Sequence, residues 1–210
     1  MIERLKIKEY GCLQNIDITL GDFNVLIGKN NTGKTTFLRA IEHFYKKDVV
    51  FLKKDKSEQY LLEVAYKEFK LHIPHDITMI PYNFIYMFFP LLSLNMSENT
   101  TILLESPENG MHYKILKDIV NFLYGLSIGA YLGIPKVQII FTTYSPYLLD
   151  YVQRPEDVYV FYKEENITKI INMSTAKGIK DWNYYFLGEL WANWGEDDLV
   201  RRATLERNME

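Results

Sequence analysis

One nine-residue stretch restricts the fold of this chain more than any other feature of its sequence. Residues 28–36 read Gly-Lys-Asn-Asn-Thr-Gly-Lys-Thr-Thr, which is the complete pattern Gly-x-x-x-x-Gly-Lys-Ser/Thr. The apolar run Phe23–Ile27 leads directly into the first glycine, and a helical spacing of apolar residues begins at Thr35. A strand, a glycine loop and a helix in this order form a cradle for phosphate groups, because the loop amides and the helix N-terminus attract anions. The sequence therefore predicts a nucleotide-binding loop.

The chemistry of such a loop assigns an expected role to each part of it. The backbone amides of Lys29–Lys34 should surround the phosphates, and the Lys34 ammonium should reach the β- and γ-phosphates. The Thr35 hydroxyl, which directly follows the lysine, is expected to bind Mg²⁺ in preference to Thr36. The predicted nucleotide-binding residues are Gly28, Lys29, Asn30, Asn31, Thr32, Gly33, Lys34, Thr35 and Thr36.

The bulk properties of the chain indicate one domain in a reducing compartment. Its 210 residues, 48% of them hydrophobic, are enough for a single domain over 1–210 with a sizeable core. Cys12 is the single cysteine, so no internal disulfide is available, and we expect it to be a small buried hydrophobe. No signal peptide is visible, and the apolar segment Met79–Leu94 contains prolines and is shorter than the about 20 residues of a spanning helix. These features predict a cytoplasmic protein without a membrane segment.

Buried strands alternate with helices along the chain, and this predicts an α/β fold with a mostly parallel central sheet flanked by helices. Alternating patterns near the N-terminus add an antiparallel β layer to this expectation. We read Lys53–Ser57 as a charged surface turn. The predicted strands are Glu3–Glu9, Ile16–Leu20, Phe23–Ile27, Tyr60–Tyr66, Thr101–Glu105, Val137–Thr142, Val158–Lys163 and Thr168–Asn172. The predicted helices are one from Thr35, one over His112–Leu132 and a short one capped by Ser145 and running through Tyr151.

An acidic residue ends the second buried strand. Four apolar or β-branched residues precede Glu105, and a turn-forming segment follows it. A phosphate-binding loop works with a metal-binding acid at the end of a neighbouring strand. An ordinary carboxylate at a strand end is the alternative, and the loop upstream favours Glu105 as a second Mg²⁺ ligand.

Three stretches together carry a resemblance to a known group of proteins: residues 28–35, residues 102–112 and residues 140–150. With the tail over 188–199, they resemble the P-loop ATPase heads of the ABC, SMC and RecF group, and most closely the small AAA-type ATPases near the overcoming-lysogenization-defect (OLD) proteins. The resemblance implies an ABC-head-like P-loop fold, Mg²⁺ and ATP as cofactors, and a homodimer that pairs around ATP. The segment before Glu105 is too short for a long coiled-coil arm, and no nuclease constellation is evident.

The chain departs from the family pattern at three places. Ser106 stands where the family has the glutamate that polarises the attacking water, and Tyr144 stands where it has a switch histidine. The family also places a glycine-bearing signature shortly before the acid strand, whereas this sequence has no glycine between Gly33 and Gly110.

These departures separate nucleotide binding from hydrolysis. Serine cannot act as a general base near pH 7, and loss of such a group typically slows a reaction about 10²–10⁴-fold. Glu108 and His112 are candidate substitutes, with a helix-start acid and a capping histidine as the alternative interpretations. We therefore predict ATP binding with weak or partner-activated hydrolysis, in which Lys34, Glu105 and Glu108 are the catalytic candidates.

Two further functions remain open from the sequence. One is a nucleotide-gated binding or dimerisation module, without hydrolysis, in a DNA-repair or phage-defence assembly. The other is direct DNA binding by Lys46, Lys47, Lys53, Lys54 and Lys56, although a net charge of −3 and a pI near 5.9 give no general attraction to nucleic acid. The aromatic tail is a candidate core or interface element; its members are Trp182, Tyr184, Tyr185, Phe186, Trp191 and Trp194.

Overall fold

The computed structural model describes the chain over residues 1–44, 49–54, 60–64, 67–71, 100–109, 111–176, 179 and 186–207. Within these ranges the strands are β1 (Arg4–Tyr10), β2 (Leu13–Thr19), β3 (Phe23–Ile27), β4 (Val49–Lys54), β5 (Tyr60–Val64), β6 (Lys67–Leu71), β7 (Thr101–Glu105), β8 (Gln138–Thr142), β9 (Val158–Glu164) and β10 (Ile167–Asn172). The helices are α1 (Lys34–Phe44), α2 (Tyr113–Ile128), α3 (Pro146–Leu149) and α4 (Leu187–Arg207). Two short 3-10 turns cover Pro155–Asp157 and Met173–Thr175.

All of these strands belong to one mixed sheet. Its order is β1-β2-β10-β9-β3-β8-β7-β4-β5-β6. The central strands β9, β3, β8, β7 and β4 pair in parallel. Antiparallel pairs extend the sheet at both edges, and on one side β10 also pairs in parallel with β2. The predicted α/β fold with a largely parallel core is confirmed. The expected antiparallel layer takes the form of edge strands of the same sheet.

The sheet has a hydrophobic cluster on each of its two faces. Side chains of a strand alternate between faces, so Val25 and Ile27 of β3 join the cluster that contains α2, α3 and α4, whereas Leu26 joins the cluster that contains α1. All three side chains are at most 2% exposed. β3 is therefore covered on both faces, which explains its continuous apolar run and gives the following loop a rigid base.

The boundaries of two elements differ from the sequence prediction. The helix predicted over His112–Leu132 ends at Ile128, because Gly129 adopts a left-handed conformation with φ 72° and caps the helix. The charged turn predicted over Lys53–Ser57 is wrong at its start, since β4 continues through Lys54. β4 pairs with β7 and β5, and such long-range pairing overrides the local turn signal of the lysines.

The other predicted elements lie close to their expected positions. β3 and β7 have the predicted bounds, β9 and β10 form the predicted hairpin, and the Ser145 hydroxyl caps α3 by accepting a hydrogen bond from the Leu148 amide at 3.3 Å. The apolar segment Met79–Leu94, the aromatic residues at 182, 184 and 185, and the lysines at 46, 47 and 56 lie outside the described residues. Among the described residues, none of the helices combines the length and the apolar character that a membrane span requires.

Candidate functional site

The loop of residues 28–33 connects β3 to α1 at the carboxyl end of the parallel strands. Gly28 and Gly33 have φ angles of 143° and 100°. A Cβ atom on Gly28 would lie 2.2 Å from the Phe161 carbonyl oxygen, and one on Gly33 would lie 2.6 Å from the Thr168 hydroxyl. Both positions need glycine, because the backbone is left-handed there and the neighbouring strands approach it closely.

Hydrogen bonds within and below the loop maintain its shape. The Thr32 hydroxyl donates to the Lys29 carbonyl oxygen at 2.9 Å, which closes the turn. The Thr168 hydroxyl of β10 donates to the Thr32 carbonyl oxygen at 2.8 Å and is fully buried. The nine residues predicted to bind nucleotide, 28–36, thus form one continuous structure of loop and first helical turn.

Lys34 is the buried cation of the loop. Its side chain is only 2% exposed, and its ammonium group donates to the carbonyl oxygens of Gly28 and Lys29, each at 2.9 Å. The aromatic ring of Tyr144 covers the same group, with 4.2 Å from Nζ to the ring centroid. A cation on the face of an aromatic ring is stabilised by the ring quadrupole. Tyr144 is therefore in direct contact with the lysine.

Burial lowers the pKa of Lys34 to about 8, and the negative charges of Glu196 and Glu105 oppose this change. The charged form of an amine is disfavoured by desolvation and favoured by nearby carboxylates. With a pKa of about 8, the side chain remains mostly protonated at pH 7. The loop therefore presents a partly desolvated positive charge, which suits a polyanionic ligand.

Thr35 and Glu105, the two predicted metal ligands, are brought together. The Thr35 hydroxyl donates a hydrogen bond to the Glu105 carboxylate. The sequence predicts Glu105 at the end of the strand next to β3, and this detail is wrong. β8 lies between β3 and β7 in the sheet, so Glu105 ends the second strand from β3. A hydroxyl and a carboxylate are hard oxygen ligands, and Mg²⁺ is commonly held by one or two carboxylates together with substrate phosphates. The donor set present here fits Mg²⁺.

Glu108 lies beside the segment that follows β8. One of its carboxylate oxygens accepts hydrogen bonds from the Thr143 hydroxyl at 2.7 Å and from the Tyr144 amide at 3.0 Å. Its other oxygen is buried and has no hydrogen-bond partner among the described residues. Glu108 therefore holds the Tyr144 backbone in place, and these contacts do not join it to the loop of residues 28–36.

Ser106 and His112 have structural contacts that explain their positions. Ser106 is buried with φ 47°, and its amide donates to the carbonyl and hydroxyl oxygens of Thr142, at 3.1 and 3.0 Å. His112 is the N-cap of α2, where its Nδ1 accepts a hydrogen bond from the Lys114 amide at 3.3 Å. The capping interpretation of His112 therefore agrees with the structure.

One residue at the loop was not identified from the sequence. The carboxylate of Glu196, in α4, accepts a hydrogen bond from the Lys29 backbone amide at 2.8 Å and is only 6% exposed. Beside it, the Lys29 ammonium forms an ion pair with Asp197 at 3.2 Å. Lys29 and Glu196 are 167 positions apart in sequence, so no spacing rule connects them. The available signal was Gly195 followed by three acidic residues within a helical segment.

These features together define a class of protein. A buried strand, a glycine loop with an inward lysine, and a helix whose first hydroxyl meets a strand-end carboxylate constitute a P-loop nucleotide-binding fold.

Comparison with known families narrows this class. A model described as an AAA ATPase domain matches residues 1–80. A second model, described as an AAA domain and as an AbiEii-type toxin of a type IV TA system, matches residues 82–150. Both matched segments lie within residues 1–150 and both models describe AAA domains, which supports an ATP-binding P-loop protein of the AAA type.

Individual relatives are more distant or match over short segments. An OLD nuclease from Thermus scotoductus is 48% identical over 42 residues, which are 20% of this chain and 8% of that protein. The SMC head domain from Thermotoga maritima has 10% identity and a TM-score of 0.42, over 80% of this chain and 96% of that one. The cbiO1 protein from Clostridium perfringens, part of the ABC transporter complex cbiONQ, has 14% identity and a TM-score of 0.47, over 97% of this chain and 93% of that one.

Proposed function

We propose that the chain binds Mg²⁺ and ATP at residues 28–36 and hydrolyses ATP slowly, or rapidly only with a partner. The contact between the Thr35 hydroxyl and the Glu105 carboxylate, next to the buried Lys34, carries this proposal. These two side chains are 70 positions apart in sequence, and a metal-binding role requires that they meet.

Each part of the site has a proposed role in binding. The amides of the loop and the N-terminus of α1 bind phosphate oxygens, and Lys34 neutralises part of the triphosphate charge. Thr35 and Glu105 hold Mg²⁺, which supplies charge neutralisation and orientation at the phosphates. The single domain over residues 1–210 would then contain all parts needed to bind the nucleotide.

Slow hydrolysis is proposed because the general base is missing from its usual position. Ser106 occupies that place, and a serine hydroxyl does not remove a proton from water near pH 7. Glu108 is the nearest acid in sequence beyond it, but one of its oxygens is engaged by Thr143 and Tyr144. Glu108 could serve as a catalytic substitute through its second oxygen, which is buried and unpartnered among the described residues. A rate well below that of an active ATPase is the expected result.

The second candidate function is a nucleotide-gated binding or dimerisation module. It is favoured by Tyr144, which contacts Lys34 and is still 46% exposed. An aromatic side chain that touches the phosphate-binding lysine and also faces solvent can transmit the state of the site to a partner surface. Such a partner would be a second copy of the chain, another protein or, with least support from the net charge, DNA. A cytoplasmic DNA-repair or phage-defence assembly is the setting that the OLD relationship suggests.

ATP turnover by the purified protein tests the proposal, with Lys34→Ala as the control. We expect ATP binding and a turnover rate that is low but lost in the variant. Brisk turnover that Lys34→Ala destroys would contradict the slow-hydrolysis part of the proposal. Turnover in the presence of candidate partners separates the two functions, because only the ATPase requires hydrolysis.

A further inference from the structure

Two of the groups predicted to bind phosphate are held by other groups of this chain. The Lys29 amide donates to the Glu196 carboxylate, and the Lys34 ammonium donates to loop carbonyl oxygens beneath Tyr144. The contact of Glu196 differs from that of Tyr144, because a carboxylate oxygen is an anionic acceptor of the same kind as a phosphate oxygen.

Glu196 is an unusual residue to bury. A carboxylate removed from water is stable only where hydrogen bonds or opposite charges compensate for the lost hydration. Its partners are the Lys29 amide and the positive charge of Lys34, on which Glu196 acts more strongly than Glu105 does. Both partners are groups that the loop would offer to ATP. The triphosphate and Glu196 therefore require the same positive site, and their negative charges repel each other within it.

The backbone next to Glu196 allows the carboxylate to leave. Gly195 interrupts α4 with φ 65° and ψ −176°, a conformation that is essentially restricted to glycine. A Cβ atom placed on Gly195 would meet nothing within 4 Å, so no neighbour confines this position. The turns on either side are anchored, since Leu190 and Leu199 are at most 1% exposed. A local rotation at Gly195, or of the Glu196 side chain alone, frees the loop without removing α4 from the core.

The start of α4 is also connected to the Tyr144 segment. A Cβ atom on Gly188 would lie 1.8 Å from the Pro146 carbonyl oxygen, so α4 and α3 are in direct backbone contact there. The Asp150 carboxylate, just after α3, accepts a hydrogen bond from the Glu189 amide at 3.1 Å. A change at the loop thus reaches a helix that contacts both sides of the site.

We propose that Glu196 is a built-in competitor of the triphosphate: it accepts a hydrogen bond from a loop amide that is predicted to bind phosphate, and it is displaced when ATP binds. ATP binding is then communicated to α4 at the hinge of Gly195. This inference rests on the proposed binding of ATP at residues 28–36 and adds a conformational response to it.

The test compares ATP affinity, by calorimetry, of the wild type and Glu196→Gln. Glutamine has the same shape and can still accept a hydrogen bond from the Lys29 amide, but it removes the negative charge. We expect about tenfold tighter ATP binding, which is within the usual range of coupling between sites. Glu189→Gln is the matched control, because it removes one negative charge from an exposed position on the same helix and should leave the affinity unchanged.

Equal or weaker ATP binding by Glu196→Gln would overturn the inference and would make Glu196 a support of the loop or a contact of the nucleotide. Glu196→Ala provides a second variant, with thermal melting to verify folding of both. If the wild type and both variants fail to bind ATP, the proposed function itself is wrong. If the wild type and both variants bind ATP with equal affinity, only the proposed role of Glu196 is refuted.

Hydrogen exchange of the segment around residues 195–199 provides an independent readout. Because coupling is reciprocal, ATP should increase exchange there in the wild type, and Glu196→Gln should show the increase without ATP. Protection of this segment by ATP in the wild type would contradict displacement of Glu196.

Discussion

Replacement of Gly28 by alanine should damage both the fold and the site, because this glycine is the point where β3 meets the carbonyl oxygen of Phe161 in β9. The added Cβ atom would lie 2.2 Å from that oxygen, which is well inside van der Waals contact and opposite rigid backbone. Overpacking of this kind costs about 1–3 kcal/mol, and the φ angle of 143° adds about 1–3 kcal/mol of backbone strain. We expect the free energy of unfolding to fall by about 4 kcal/mol, together with loss of ATP binding.

Gly133→Ala is the matched control for this experiment. Gly133 also has a positive φ, 79°, but a Cβ atom there would meet nothing within 4 Å. It should therefore lose only the strain of the left-handed backbone, about 1 kcal/mol, and retain ATP binding. Urea denaturation of both variants measures the difference. Equal losses of stability would show that the close approach of Phe161 to Gly28 has no energetic consequence, and would refute this reasoning.

Two further predictions concern the metal site and pH. Glu105→Gln should weaken ATP binding about tenfold with Mg²⁺ present and should not weaken it in EDTA, because only the metal ligand is changed. Equal losses of affinity under both conditions would argue against a role of Glu105 in metal binding. Burial raises the pKa of Asp157 from its ordinary value of 3.8 to about 6. Asp157 therefore loses its proton at a lower pH in the unfolded chain than in the folded protein, so the free energy of unfolding should decrease as the pH rises from about 4 to 6. Asp157→Asn should remove this decrease, at most about 3 kcal/mol, and denaturation at pH 4 and pH 7 measures it; an unchanged pH dependence would contradict the assigned cause.

The sequence predicted those parts of the site that depend on local patterns. Gly28, Gly33 and Lys34 are recognisable because the conformation of a phosphate-binding loop needs these residue types at this spacing. The proximity of Thr35 and Glu105 was also predicted, since a loop after one central strand and an acid at the end of another must meet at the same edge of a parallel sheet.

The missed features depend on contacts between distant parts of the chain. The contact of Glu196 with the Lys29 amide requires the path of α4 across the sheet, which no local pattern specifies. The continuation of β4 through Lys54 depends on pairing with β7 and β5, and the local lysines indicate a turn instead. Tyr144 was recognised as a departure from the family, but its contact with Lys34 is visible only in the fold.

The most direct test of the central claim is calorimetric titration of the wild type with ATP and Mg²⁺, beside Lys34→Ala. Lys34 is the buried cation of the loop, so its removal should eliminate the heat of binding, whereas thermal melting should show that the variant remains folded. Saturable binding by the wild type and none by the variant is the predicted result. No binding by the wild type at millimolar ATP, or equal binding by both proteins, would contradict a triphosphate site at residues 28–36.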